Sequence, residues 1–251
     1  MKSKRSFLFI ALLGAVAGFL PWTVFAATGE SAPVRQALQE LVPERIARQV
    51  HFTRIAAQNG DDIFRISGNR GAIQIAGSSN VALLTGFNWY LKYVAHGQIS
   101  SNGNQLALPL ELPAPPSTIE IRSPYRYRYA FNENVSGYST PYWNFPRWKH
   151  EIDLLAASGT NVILLERGTG LVLYRTFRDF GYTDRQIRAW FTLPAHQNWQ
   201  LMGNMCCFGG PISMQLLEKR AVSAKQILAY MRSLGITPVL PGYYGLVVKF
   251  Q

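Results

Sequence analysis

The chain has 251 residues, 48% of them hydrophobic and 16% charged, and 25 Lys and Arg against 14 Asp and Glu give a formal net charge of +11. That apolar content, with 14 Phe, 12 Tyr and 6 Trp, excludes a disordered chain, and two cysteines exclude a disulfide-stapled miniprotein. The length admits either one complete β/α barrel of about 250 residues or two ordinary domains.

At the N-terminus, Lys2, Lys4 and Arg5 precede an apolar run over 7–20, then Pro21 and small residues up to Ala26. This order is that of a secretory signal peptide over residues 1–26, expected to be cleaved after Ala26, with an uncleaved anchor as the alternative. The run is shorter than the roughly 20 apolar residues of a transmembrane helix, and no later run is longer, so no membrane association is expected after cleavage. Cleavage removes three positive residues and leaves a charge of +8. The later Lys and Arg are scattered singly, without a stripe or run, so a nucleic-acid partner is not expected.

Apolar spacing predicts a helix over 33–50, with Val34, Leu38 and Leu41 on one face and Pro43 either kinking it or starting a second short helix. Alternating segments at 63–66 and 73–75, separated by Gly68, Asn69 and Gly71, predict neighbouring strands joined by a turn. After Ser79, the face formed by Leu83, Phe87, Tyr90, Leu91 and Val94 predicts a helix closed near Gly97. Further strands are predicted at 106–108 and 119–121, which completes a small α+β domain over 27–123.

A different rhythm begins with the domain expected at 124–251. Aromatic and basic residues alternate over 125–131, suggesting a strand, and a helix starts near Pro146 with Trp148, Ile152 and Leu155 on one face. Gly159 and an unbroken apolar run at 162–165 follow, as expected for a parallel strand buried on both faces. The helix, glycine and strand order recurs with Leu217, Ala221, Ala224, Leu228 and Met231, then Gly235, then 236–240. Two such crossovers imply a parallel α/β sheet or barrel. The segment 167–211 between them carries a capping-box helix signal at Thr183 and Gln186 and is otherwise without a clean period. Long insertions after barrel strands are where such folds build sites.

Of the acids in the second domain, Glu133 and Glu166 lie just past predicted strands, whereas Glu151, Asp153, Asp184 and Glu218 fall on helices and are expected as solvated charge. Cys206 and Cys207 are adjacent and cannot form a strain-free disulfide with each other. With no CxxC spacing and four scattered histidines, no metal site is expected. Asn134, Ser136, Tyr138, Tyr142, Trp143, His196, Asn198, Trp199, Asn204, Tyr243 and Tyr244 combine flat rings with amide and hydroxyl groups. Such a set suits a polyhydroxylated ligand, the rings covering its C–H faces while the polar groups fix its hydroxyls.

Several short motifs occur in one order: Arg126-Tyr127-Arg128-Tyr129 through Asn134-Val135, Arg147-Trp148 with Glu151-Ile152-Asp153, Gly181 with Ile187, Met202-Gly203-Asn204, and the run from Gly235 to Pro241. In these the chain resembles the α-N-acetylglucosaminidases, glycoside hydrolases with lysosomal and bacterial members. The resemblance is specific over roughly the last half of the chain. It implies a small N-terminal α/β domain, a (β/α)8 barrel and a C-terminal helical domain. It also implies retaining hydrolysis of terminal α-linked N-acetylglucosamine from a glycan, without metal or organic cofactor. Asn134 and Trp199 match residues of the family's sugar pocket, and Ser136 stands where a relative has a pocket cysteine. Gly170 departs from an acidic residue common in relatives. Both glutamates that the family uses, one as acid/base and one as nucleophile, belong to later barrel strands beyond Gln251, and 248–251 leaves the family pattern. The expectation is therefore an incomplete barrel of about three strands, an N-terminal fragment inactive by itself. A non-catalytic carbohydrate-binding protein is the alternative.

Overall fold

A computed structural model of the chain describes residues 31–205 and 208–242. The expected signal peptide, Cys206 and Cys207, Tyr243 and Tyr244, and the segment 248–251 lie outside the described residues.

Helix α1 (Ala32–Leu41) buries Val34, Ala37, Leu38 and Leu41, and Pro43 caps a short α2 (Glu44–Ala47). A strand starts at the last residue of the expected helical stretch: β1 (Val50–Arg54) buries Val50 and Phe52 and exposes His51 and Thr53, a period of two. Strands β2 (Ile63–Asn69) and β3 (Ala72–Gly77) form the expected hairpin, with Ile66 opposite Ile75 and Asn69 opposite Ala72. β1 joins β3 in parallel and β4 (Ile119–Arg122) joins β2 antiparallel, giving the order β1-β3-β2-β4. Helix α3 (Asn80–Tyr93) packs on this sheet and buries Leu83, Leu84 and Phe87, and the Ser79 hydroxyl accepts the Ala82 N–H at 2.9 Å. The strand expected at 106–108 is absent. The carbonyls of Leu106, Leu108 and Pro109 instead accept from the Arg45 guanidinium at 3.3–3.4 Å.

Strands β5 (Tyr129–Ala130), β6 (Val162–Leu164) and β7 (Thr237–Val239) form a second, wholly parallel sheet in that order. β5 is much shorter than the alternation over 125–131 suggests, because nearby side chains take the preceding carbonyls. Arg128 donates to Tyr125 O at 2.8 Å and Asn161 to Arg126 O at 2.9 Å. The crossover from β5 to β6 contains α4 (Glu133–Tyr138) and α5 (Phe145–Ala157). That from β6 to β7 ends in the 20-residue α9 (Met214–Ser233). Each long helix is followed by a glycine in the left-handed region, Gly159 at φ 91° and Gly235 at φ 76°, which turns the chain into the next strand. The insertion is more regular than expected, with α6 (Thr169–Asp179), α7 (Asp184–Trp190) and α8 (Gln197–Leu201) around a small core of Ile187, Trp190, Phe191, Ile212 and Leu217. The Thr183–Gln186 capping box opens α7.

One continuous core joins the two sheets, running from Leu38 and Phe87 through Trp148 and Ile152 to Ile163 and Ile227. Helix α5 is its hub, because α1, α3 and α9 all pack on it. This explains a correction to the expected solvated charge on α5. Asp153 is fully buried, accepting from Tyr230 Oη on α9 and from Lys149 Nζ at 3.2 Å, while Lys149 also reaches Glu40 on α1 at 3.3 Å. A helix with neighbours on three sides has no purely solvated face, so simple amphipathic spacing misplaces Asp153. Polar ties reinforce the junction: Asp62 pairs with Arg128, Asn80 donates to Ser233 O at 2.9 Å, and Asn88 donates to Ala157 O at 3.1 Å.

Candidate functional site

The polar groups gather at the C-terminal ends of β5 and β6. Beyond β5, Phe131 adopts φ 70° and Asn132 caps α4, its side-chain oxygen accepting the Val135 N–H at 3.2 Å. Beyond β6 the chain continues through Leu165 to Glu166, which is only 4% exposed. Helix α8 lies against α4 and is held from behind by the fully buried Gln200. The Gln200 amide donates to Trp190 O at 2.6 Å and accepts from Thr192 N at 2.8 Å and Thr192 Oγ1 at 3.0 Å.

Between these elements is a small cavity of about 10 Å³, lined by Ser136, Glu166, Pro194, Gln197, Asn198, Leu201 and Arg220. The α4–α8 contact depends on Gly137, since a Cβ there would lie 2.2 Å from Asn198 Oδ1. Arg220 closes the cavity from α9 and donates to Pro141 O at 2.8 Å, fixing the loop after α4. Burial, and then the nearby Arg167 charge, push the Arg220 guanidinium down to about 10. Burial also lowers Arg167. The Tyr129 phenol is raised by burial and then by the charges of Glu133 and Glu166.

Ser136 lines the cavity, and Trp199 stands just outside it, its ring edge-on to Tyr138 with centroids 5.4 Å apart and planes at 81°. Tyr138 is 76% exposed, so this ring pair forms a ledge open to solvent. Asn134 lies exposed on the first turn of α4, on the same short helix as Ser136 and Tyr138. Tyr142 is exposed, Trp143 packs edge-on to Trp148, and the His196 ring packs on Phe208. At Gly170 a Cβ would lie 2.8 Å from Gln197 Nε2, so the Gln197 amide occupies the space beside the missing side chain.

Gly137, Gln197 and Arg220 were not among the residues expected in the site. Arg220 carries a legible signal, because it interrupts the buried stripe of Leu217, Ala224, Ile227 and Met231 on α9. A lone cation on an apolar face needs a partner, and here it finds a backbone carbonyl beside a carboxylate. Gln197 carries no comparable signal. Among the described residues no group of three or more His, Cys, Asp and Glu could hold a metal ion, and no helix is long and apolar enough to cross a membrane.

Two family models match the chain: the α-N-acetylglucosaminidase N-terminal domain over residues 32–114 and the α-N-acetylglucosaminidase TIM-barrel domain over residues 128–249. Human α-N-acetylglucosaminidase is 35% identical over 194 residues, 77% of this chain and 26% of the human protein. Among solved structures, a family 89 glycoside hydrolase from Clostridium perfringens in complex with 2-acetamido-1,2-dideoxynojirmycin superposes with a TM-score of 0.81 at 31% identity. A form of the Clostridium perfringens protein with two glutamates changed to glutamine, in complex with its substrate GlcNAc-α-1,4-galactose, gives the same TM-score at 32% identity. Both matches cover 85% of this chain and 24% of the other, so the chain spans about a quarter of the length of these relatives. With both domains matched in order, this chain belongs to the α-N-acetylglucosaminidase family of glycoside hydrolases, and its wholly parallel sheet is part of a TIM-barrel-like domain.

Proposed function

We propose that the chain is the N-terminal part of an exported retaining α-N-acetylglucosaminidase that removes terminal α-linked N-acetylglucosamine from glycans. In this reading residues 1–26 are the signal peptide, 27–123 the small domain, and 124–251 the first three of eight barrel strands with their insertion. The observation that carries it is the solvent-open Tyr138–Trp199 ledge, with Asn134 and Ser136 on the adjoining α4, at the strand ends of a barrel matched to this family. Trp199 would cover an apolar sugar face, and Asn134 and Ser136 would hold polar groups of the N-acetylglucosamine. Flat aromatic cover confers affinity, and hydrogen bonds of about 0.5–1.5 kcal/mol each confer selectivity.

Retaining chemistry needs two carboxylates about 5–5.5 Å apart, one protonating the glycosidic oxygen and one attacking the anomeric carbon. The family's glutamates for these roles are expected beyond residue 251, so the polypeptide of residues 1–251 should not turn over a p-nitrophenyl α-N-acetylglucosaminide. The positive test is a chimera with residues 31–242 replacing the matching segment of the Clostridium perfringens enzyme. It should hydrolyse GlcNAc-α-1,4-galactose, and Trp199→Ala within it should lower kcat/KM by about 10- to 100-fold, the loss of about 1–3 kcal/mol of stacking and burial. A folded chimera without hydrolysis, or turnover by residues 1–251 alone, would overturn the proposal.

A further inference from the structure

The small cavity contains polar groups that the protein itself does not satisfy. Asn198 is 2% exposed and Gln197 5% exposed. Both amide atoms of Asn198, and Nε2 of Gln197, are buried without a hydrogen-bond partner among the described residues. These groups come from successive positions of α8, whose Gln197 and Asn198 line the same cavity as Ser136 of α4. Burying an unmade amide hydrogen bond costs about 1–3 kcal/mol, so several in one place call for a guest.

Size and charge define that guest. A cavity of about 10 Å³ is close to the roughly 10–15 Å³ that admits one water and is too small for a sugar substituent. One carboxylate, Glu166, and one guanidinium, Arg220, line it, so the walls are close to charge balance and favour a neutral occupant. We propose that the chamber is a binding site for a single resident water molecule. It donates to Asn198 Oδ1 and accepts from Gln197 Nε2, with the Ser136 hydroxyl as its partner across the helix junction. The water thereby sets the spacing between α4 and α8. Its relevance to recognition rests on the proposed glycan site, because α8 carries Trp199 and α4 carries Asn134 and Ser136.

The test is water-selective NOE and ROE spectroscopy of the isotope-labelled full chain, observing the side-chain amide protons of Asn198 and Gln197. Cross-peaks from a long-lived water are expected at both residues. Asn198→Leu fills the chamber with methyl groups and should abolish the water cross-peak at Gln197. Gln197→Met removes the donor without touching the α4 contact and should do the same at Asn198, so a folding defect in one variant leaves the other informative. Wild-type protein that is folded but shows only protein contacts at both amides would overturn the proposal, as would cross-peaks unchanged in both variants. No sugar enters the measurement, so a failure of the glycan reading leaves the water result standing.

Discussion

Replacing Asp153 tests the junction between the two sheets. This carboxylate is fully buried between α5 and α9, receives the Tyr230 hydroxyl and Lys149, and through Lys149 is linked to Glu40 on α1. Burial dominates its environment and raises its pKa, although Tyr230 and Lys149 both favour the charged form. Asp153→Ala leaves the Tyr230 hydroxyl without its acceptor and leaves Lys149, whose side chain is 12% exposed, with only the half-exposed Glu40. Breaking a buried pair from one side costs about 3–5 kcal/mol. Asp153→Asn keeps an acceptor of the same shape for Tyr230 and removes a charge whose burial is unfavourable, so its cost should be about 1 kcal/mol.

Urea unfolding of the full chain, followed by tryptophan fluorescence, measures both variants. The pH dependence supplies an independent check. A carboxyl whose pKa is higher in the folded than in the unfolded chain binds its proton more tightly when folded. Wild-type stability therefore falls as pH rises from the unfolded value through the raised folded value, and is recovered as pH is lowered. Asp153→Asn lacks this contribution, so the gap between wild type and Asn should narrow with increasing pH across that window. Equal costs for Ala and Asn to within about 0.5 kcal/mol, or a gap that widens with pH, would refute a buried acid acting mainly as a hydrogen-bond acceptor.

Four further substitutions probe other parts of the molecule. Ser79→Ala removes the cap on α3 and should lower the unfolding free energy by about 1 kcal/mol in the same urea titration, with an unchanged m-value. Gly137→Ala brings a methyl carbon to 2.2 Å from Asn198 Oδ1 and should cost about 1–3 kcal/mol by calorimetry, whereas Gly60→Ala, with no atom near its Cβ, isolates the strain of a positive φ without a clash. Arg220→Met keeps the apolar stem on α9 but leaves Pro141 O and Glu166 without the guanidinium. A loss of more than about 2 kcal/mol is expected from thermal unfolding, and full stability would show that Arg220 does not fasten the loop after α4.

The features that were legible in the sequence are those decided within a few residues. Ser79 and Thr183 cap their helices through groups three positions away, and the apolar run at 162–165 leaves no polar side for water, so it is a central strand. β5 and β7 are harder, because two or three residues carry no period. What marks β7 is its position after a long amphipathic helix and Gly235. Features set by distant neighbours escaped. The strand predicted at 106–108 had suitable residues but lost its carbonyls to Arg45, more than 60 positions away. Asp153 looked solvated until α1, α3 and α9 closed around α5. The same distinction governs the site. Ser136 and Trp199 stand out in the sequence by residue type alone, but the contact of α4 with α8 depends on Gly137 having no side chain beside Asn198. A glycine among Asn134, Ser136 and Tyr138 reads locally as a turn or a weak helix position. Its role here is to let two helices approach closely, and that follows only once α8 is in place.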